Sequence, residues 1–180
     1  MTCMGGVSGS SVIDYKIGKK RHVESFEMAW DRLSTKFRVE LQPNGRDLYM
    51  DTDGVTIFDI NAGKYVKQYR MIRNTSNDWV KITLDNGTVI RATPDHPFYL
   101  EINGRAFVKR ADELKYGKSF VYDGRVLPPD CPCPIGFTDV QKTEAYKECA
   151  FGYDVTTETE YFMVNGIESH SCCTETKKVV

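Results

Sequence analysis

Three things are scarce in this 180-residue chain: net charge, long apolar runs and regularly spaced cysteines. Its 24 basic and 25 acidic side chains leave a formal charge of −1, so no overall basic field draws it to nucleic acid. No stretch of about 18 or more apolar residues is present to span a bilayer as a helix, and no membrane partner is expected. The opening Met1-Thr-Cys-Met-Gly-Gly6 has neither a basic leader nor an apolar core. No secretory signal is therefore expected, and a reducing, cytoplasmic setting with free thiols is expected with it. The six cysteines, at 3, 131, 133, 149, 172 and 173, crowd toward the ends and one Pro-rich stretch, which is no disulfide framework. A metal site built from Cys131, Cys133, Cys172 and Cys173 is a rival reading. Structural zinc takes thiols with about two to four residues between them, and neither pair offers that, so no metal and no cofactor is expected. No internal repeat is visible.

At 41% hydrophobic and 27% charged, the chain suits one globular domain with a substantial core. Val23, Phe26, Trp30, Leu33 and Phe37 recur at spacings of three and four, which predicts one long helix over 22–37. Short strands are predicted at 48–50, 55–60, 65–72, 79–84, 89–92, 98–102 and 106–109. Asp53-Gly54, Asn61-Ala-Gly63, Asp85-Asn-Gly87 and Asn103-Gly104 punctuate them with residues suited to tight hairpins. A second short helix is expected over 109–114, then extended chain at 120–122. Four prolines within residues 127–134 exclude helix or central strand there and argue for a connection. Strands follow at 137–146 and 152–164, with Asn165-Gly166 turning the chain into a last extended run toward Ser171.

Residues able to do chemistry gather in three places. Thr93 and His96, at the end of a predicted hairpin, are stiffened by Pro94 and Pro97. Alone, the pair fits a catalytic site and an ordinary strand end about equally. Near the C-terminal end lies Gly152-Tyr-Asp-Val-Thr, then Phe162, Asn165-Gly166 and His170-Ser-Cys172; near the N-terminal end lies Gly6-Val-Ser-Gly-Ser-Ser-Val-Ile13.

In this order, the three segments resemble the motifs of inteins, the self-excising protein-splicing elements of the Hedgehog/intein family. Gly87 to His96 resembles the motif Gly-x-x-x-x-x-Thr-x-x-His, and residues 110–117 resemble the helix and turn after it. The C-terminal segment resembles the last two intein motifs joined. The resemblance implies a mostly β, horseshoe-like fold with one or two short helices, spanning residues 6–171. Residues 1–5 and 172–180 would be the upstream and downstream flanks, with Cys3 an upstream flank residue and Gly5 the last of them. No insertion with paired acidic motifs is present, which implies a mini-intein without a homing endonuclease.

The resemblance also implies roles. Gly6 occupies the position of the first nucleophile. Thr93 and His96 would bond the scissile amide and protonate its nitrogen. Asp154 would manage the proton of Cys172, the acceptor of the upstream segment. His170 would assist cyclisation of a terminal Asn, whose position is held by Ser171. Gly6 lacks a nucleophile and Ser171 lacks an amide nitrogen, so both junctions are expected to stay intact and the chain to be a splicing-inactive precursor. The element is a single-turnover self-processing domain rather than a turnover enzyme, and its partners are its own flanks in cis. Two further departures are Glu160, where many inteins have His and which is read here as a solvated strand residue, and Gly117-Lys118 in place of Gly-Asp. Alternatives are a bacterial intein-like or Hedgehog-type autoprocessing domain, or an inert β-domain whose Arg105, Lys109, Arg110 and Lys115 form a basic face. The His170-containing terminus favours splicing over the Hedgehog type.

The Pro-rich stretch lies where split members of the family diverge, so a complementary fragment is a potential partner. Residues 1–126 and 135–180, expressed together, should co-purify; separate elution on size exclusion would remove that reading.

Overall fold

The computed structural model describes residues 5–115, 119–123 and 136–171. Within these the chain forms β1 (Val7–Ser8), β2 (Val12–Ile17), β3 (Lys20–Ser25), α1 (Phe26–Ser34), β4 (Val39–Leu41), β5 (Leu48–Asp51), β6 (Val55–Asp59) and β7 (Lys64–Leu84). There follow β8 (Val89–Ala92), β9 (Pro97–Ile102), β10 (Arg105–Arg110), a 3-10 turn (Ala111–Glu113), β11 (Ser119–Tyr122), β12 (Gly136–Thr157), β13 (Tyr161–Val164) and β14 (Ile167–His170). The fold is mostly β, as expected. The Pro-rich 127–134 segment, Gly117-Lys118, Cys3, Cys131, Cys133, Cys172 and Cys173 lie outside the described residues.

The helix is shorter than its periodicity suggests. Residues 20–25 instead pair with β2, from Ile17 opposite Lys20 to Val12 opposite Ser25, and Val23 is 44% exposed on that strand. Ser25 then caps α1, its side chain accepting the Met28 amide. Phe26, Ala29, Trp30 and Leu33 bury one face of the helix. The expected helix over 109–114 is instead the end of β10, through Arg110, followed by a single 3-10 turn at Ala111–Glu113.

The other departure is in strand length. The predicted segments 65–72 and 79–84 are parts of one 21-residue strand, β7; the predicted 152–164 divides, its first part joining 137–146 in one 22-residue strand, β12, and its end forming the separate strand β13. Asn74 to Asp78 reads as a break because it is polar. Each strand nevertheless finds its hydrogen-bonding partner in the other, and a register shift between Lys147 and Ala150 absorbs the irregularity. An apolar side chain is not needed where both faces of a two-stranded ribbon meet water.

The sheet path runs β10-β9-β14-β11-β12-β1-β8-β7-β6-β2-β3, with β7 and β12 also paired directly. That closure seats β1 between other strands: Val7 pairs with Tyr153 of β12 and with Ala92 of β8. At the other end Ser169 of β14 pairs with Phe98 of β9. The start and end of the described chain therefore both reach the segment between β8 and β9. No helix among the described residues is long and apolar enough to cross a membrane.

Phe26 joins α1 to this centre. It stacks on Tyr153 with ring centroids 5.7 Å apart and meets Phe162 edge-on at 6.1 Å. Phe26→Ala should cost about 3–5 kcal/mol, whereas Met28→Ala on the exposed face should stay within about 0.5 kcal/mol. Urea unfolding of the two variants measures this.

Candidate functional site

The amide between Gly5 and Gly6 is held at both of its polar atoms. Its nitrogen donates to Thr93 Oγ1 at 2.9 Å. Its carbonyl oxygen, that of Gly5, accepts from Asn74 Nδ2 at 3.0 Å. The Thr93 amide returns a bond to the Gly6 carbonyl at 2.9 Å, which fixes Thr93 against β1. Gly5 itself has φ +98°, and a Cβ there would stand 2.9 Å from His96 Cα. Glycine is thus required by backbone angle and by space. Gly6 is crowded too: a Cβ would lie 2.9 Å from the Tyr153 nitrogen, so any side chain at position 6 needs β1 or β12 to move by tenths of an ångström. A cleft of about 570 Å³ opens beside Gly5, bordered by Asn74, Thr93, Asp95 and Arg110 among others.

His96 and Asp154 are fully enclosed, at 0% and 1% exposure. Burial pushes the Asp154 carboxyl well above the usual range, and burial followed by the nearby His170 lowers His96 to about 3. At neutral pH the ring is uncharged, and the same enclosure favours the protonated form of the carboxyl. The 3.9 Å approach of His96 Nδ1 to Asp154 Oδ2 is too long for a hydrogen bond. Both atoms are buried without a hydrogen-bond partner, as is Asn74 Oδ1, and each such orphan costs about 1–3 kcal/mol. The other ring nitrogen, His96 Nε2, meets Ser169 Oγ at 2.9 Å. That bond ties the Thr-x-x-His segment to the final strand.

The C-terminal end of the described chain is held as well. His170 Nδ1 lies 2.7 Å from the Ser171 carbonyl oxygen, and because a carbonyl only accepts, Nδ1 carries the proton. The Ser171 amide donates to the Glu160 carbonyl at 2.8 Å, and Thr157 Oγ1 donates to Ser171 Oγ at 3.5 Å. Tyr161 packs edge-on against the His170 ring at 5.3 Å.

Among the expected residues, Thr93 and Gly6 are in direct contact, His96 and Asp154 face each other, and His170 and Ser171 are bonded. The His96 ring is bonded to Ser169 rather than to the Gly6 amide. Glu160 is no solvated strand residue. It sits half-buried in the bend before β13 with φ +70°, and its backbone carbonyl, not its side chain, anchors Ser171. Sequence reasoning missed Asn74, Ser169 and Thr157. The only signal for Asn74 was a polar run inside what is in fact a strand.

A second carboxyl pair lies nearby. Asn61 donates its amide to both Asp59 Oδ1 (2.9 Å) and Glu168 Oε2 (2.7 Å). Burial, then Asp59, raises the Glu168 carboxyl from an ordinary 4.5 to about 10.

No protein-family profile and no curated protein sequence matches the chain. Solved structures do. The transcription factor IIB Mvu mini-intein superposes with a TM-score of 0.78 at 18% identity, covering 93% of this chain and all of that one. An intein from a hyperthermophile gives 0.75 at 16% identity, with 93% and 100% coverage. A KlbA intein precursor from Methanococcus jannaschii gives 0.72 at 18% identity, with 97% and 95% coverage. The architecture is the mostly β fold of the mini-inteins, and 180 residues leave no room for a homing endonuclease domain. At these identities the likeness establishes the fold, and function rests on the site.

The folded Glu168 carboxyl keeps a proton that the unfolded one releases, so its burial destabilises the fold progressively as pH rises from about 4.5 toward about 10. Glu168→Gln should therefore be more stable than the parent by several kcal/mol at pH 8, with the difference vanishing near pH 4. Chemical denaturation at both pH values measures it; a pH-independent difference would refute the buried proton.

Proposed function

We propose that this chain is a protein-splicing domain, residues 6–171, held at the precursor stage between an upstream flank, 1–5, and a downstream flank, 172–180. The observation that carries this reading is that polar groups hold both junction peptides at once: Thr93 on the Gly6 nitrogen and His170 on the Ser171 carbonyl. An inert β-domain has no reason to enclose between its ends two titratable groups that each leave a polar atom unpartnered.

In the proposed chemistry a thiol at position 6 attacks the Gly5 carbonyl carbon and the nitrogen of residue 6 departs. Thr93 Oγ1 accepts that nitrogen's hydrogen and orients the amide. His96, uncharged at rest, takes up the proton that the thiol at position 6 loses and passes it to the leaving nitrogen. An imidazolium whose affinity for protons is lowered to about 3 gives that proton up readily. Asp154, whose carboxyl is held toward a raised proton affinity by burial, is the group that manages the proton of the acceptor thiol of Cys172, a residue outside the described part of the chain. At the downstream junction, an Asn side-chain nitrogen at position 171 would attack its own carbonyl carbon. The His170 Nδ1–H stabilises the oxygen as negative charge develops there.

Gly6 and Ser171 remove the two bond-making groups while leaving their surroundings in place, which makes the chain a trapped precursor. Loss of a nucleophile removes a step outright, so the surviving side chains do not restore it. The C-terminal bonds of His170 favour splicing over a Hedgehog-type domain, which needs no such terminus.

The parent chain should show an unchanged intact mass. Ser171→Asn alone should release residues 172–180 and leave a cyclised terminus, and adding His170→Ala should slow this by about 10²-fold or more. Gly6→Cys with Ser171→Asn should yield the joined flanks and an excised fragment of residues 6–171. Folded chains of unchanged mass in both cases would sink the reading. A joined product from Ser171→Asn alone would show that position 6 need not supply the nucleophile.

A further inference from the structure

Asn74 has no assigned part in the chemistry above, yet it makes the bond to the reacting carbonyl. It lies on β7, 69 positions from Gly5, and its Nδ2 reaches the Gly5 oxygen at 3.0 Å. This is within the range of about 2.7–3.1 Å that suits a donor to a developing oxyanion. We propose that Asn74 is a catalytic residue of the first step, the donor that stabilises the oxyanion on Gly5. The assignment rests on the splicing reading and deepens it.

Two features indicate that the side chain is placed for this purpose. Its Oδ1 is buried with no hydrogen-bond partner, so the amide group satisfies the Gly5 carbonyl at the expense of its own oxygen. In addition, Asn74 stands directly opposite Gly152 in the β7–β12 register, where a Cβ on residue 152 would lie only 2.5 Å from Asn74 Oδ1. The missing side chain at 152 is the space through which Asn74 leans toward β1. Thr93 and Asn74 then grip opposite ends of one amide, nitrogen and oxygen respectively.

The step balances as follows. Sulfur of a cysteine at position 6 bonds to the Gly5 carbonyl carbon, and the carbonyl π pair moves onto oxygen, where the Asn74 N–H meets it. That pair returns as the carbon–nitrogen bond breaks, its electrons leaving on the nitrogen of residue 6. The proton lost by the thiol ends on that nitrogen, and the product is a thioester with a free amine. Asn74 donates throughout and transfers no proton, so its contribution is electrostatic and independent of pH near neutrality.

The test uses the full chain carrying Gly6→Cys, with dithiothreitol releasing residues 1–5 from any thioester and intact mass giving the rate. Asn74→Asp keeps the shape and loses the donor; it should slow release by about 10²–10³-fold, and Asn74→Ala should do likewise. Gly152→Ala, which leaves Asn74 chemically intact but fills its space, should also slow release, since only a flexible side-chain end has to move. In the parent chain, carbon-13 labelling of the Gly5 carbonyl gives a readout that needs no turnover: its resonance should shift in all three variants. The Gly6 amide proton, bonded to Thr93, should respond instead to Thr93→Ala. Release or carbonyl resonance unchanged by Asn74→Asp overturns the assignment alone. A folded Gly6→Cys chain that dithiothreitol leaves whole overturns the splicing reading and the assignment with it.

Discussion

The antiparallel pairing of β7 with β12 organises the molecule. These two strands run together from Gln68 opposite Thr157 to Leu84 opposite Val140, and almost everything of chemical interest is a consequence of their register. It sets Asn74 against Gly152 and carries Tyr153 and Asp154 to the strand that flanks β1. A slip of one residue would turn Asp154 to the opposite face and remove Gly152 from beneath Asn74. The bulge between Lys147 and Ala150 lets the strands stay paired where their lengths do not match.

Against this ribbon the two ends of the domain are fastened by backbone as much as by side chains. Gly6 and Thr93 exchange bonds on one side, and Ser171 donates to Glu160 on the other. His96 stands between, bonded to Ser169 and backed by Phe98 with ring centroids 4.9 Å apart. Enclosure keeps His96 uncharged and pushes Asp154 toward its neutral form, because a low-polarity interior disfavours isolated ions. Their unmatched polar atoms are a cost to stability, and their clustering at the junction is what a site, rather than a core, looks like.

The fold accommodates Gly6 and Ser171 without disturbing the contacts that hold the ends. Gly6 fits a space already too tight for a side chain. Ser171 buries its small hydroxyl near Thr157 while its carbonyl meets His170.

Much of this was legible in the residues themselves. Turn dipeptides marked the hairpins and bounded the short strands β8 to β10, because such signals are local and each residue carries its own; Thr93, His96, Asp154 and His170 stood out through their resemblance to intein motifs. The helix boundary was misjudged because Val23 fits a helical spacing while its backbone pairs with β2. The length of β7 and β12 was hidden because polar stretches there are satisfied by a distant partner. What only the tertiary structure decided are the contacts across long sequence separation: Asn74 with Gly5, His96 with Ser169, Glu168 with Asn61. Each depends on sheet register, a cooperative property of whole paired strands that no single segment encodes.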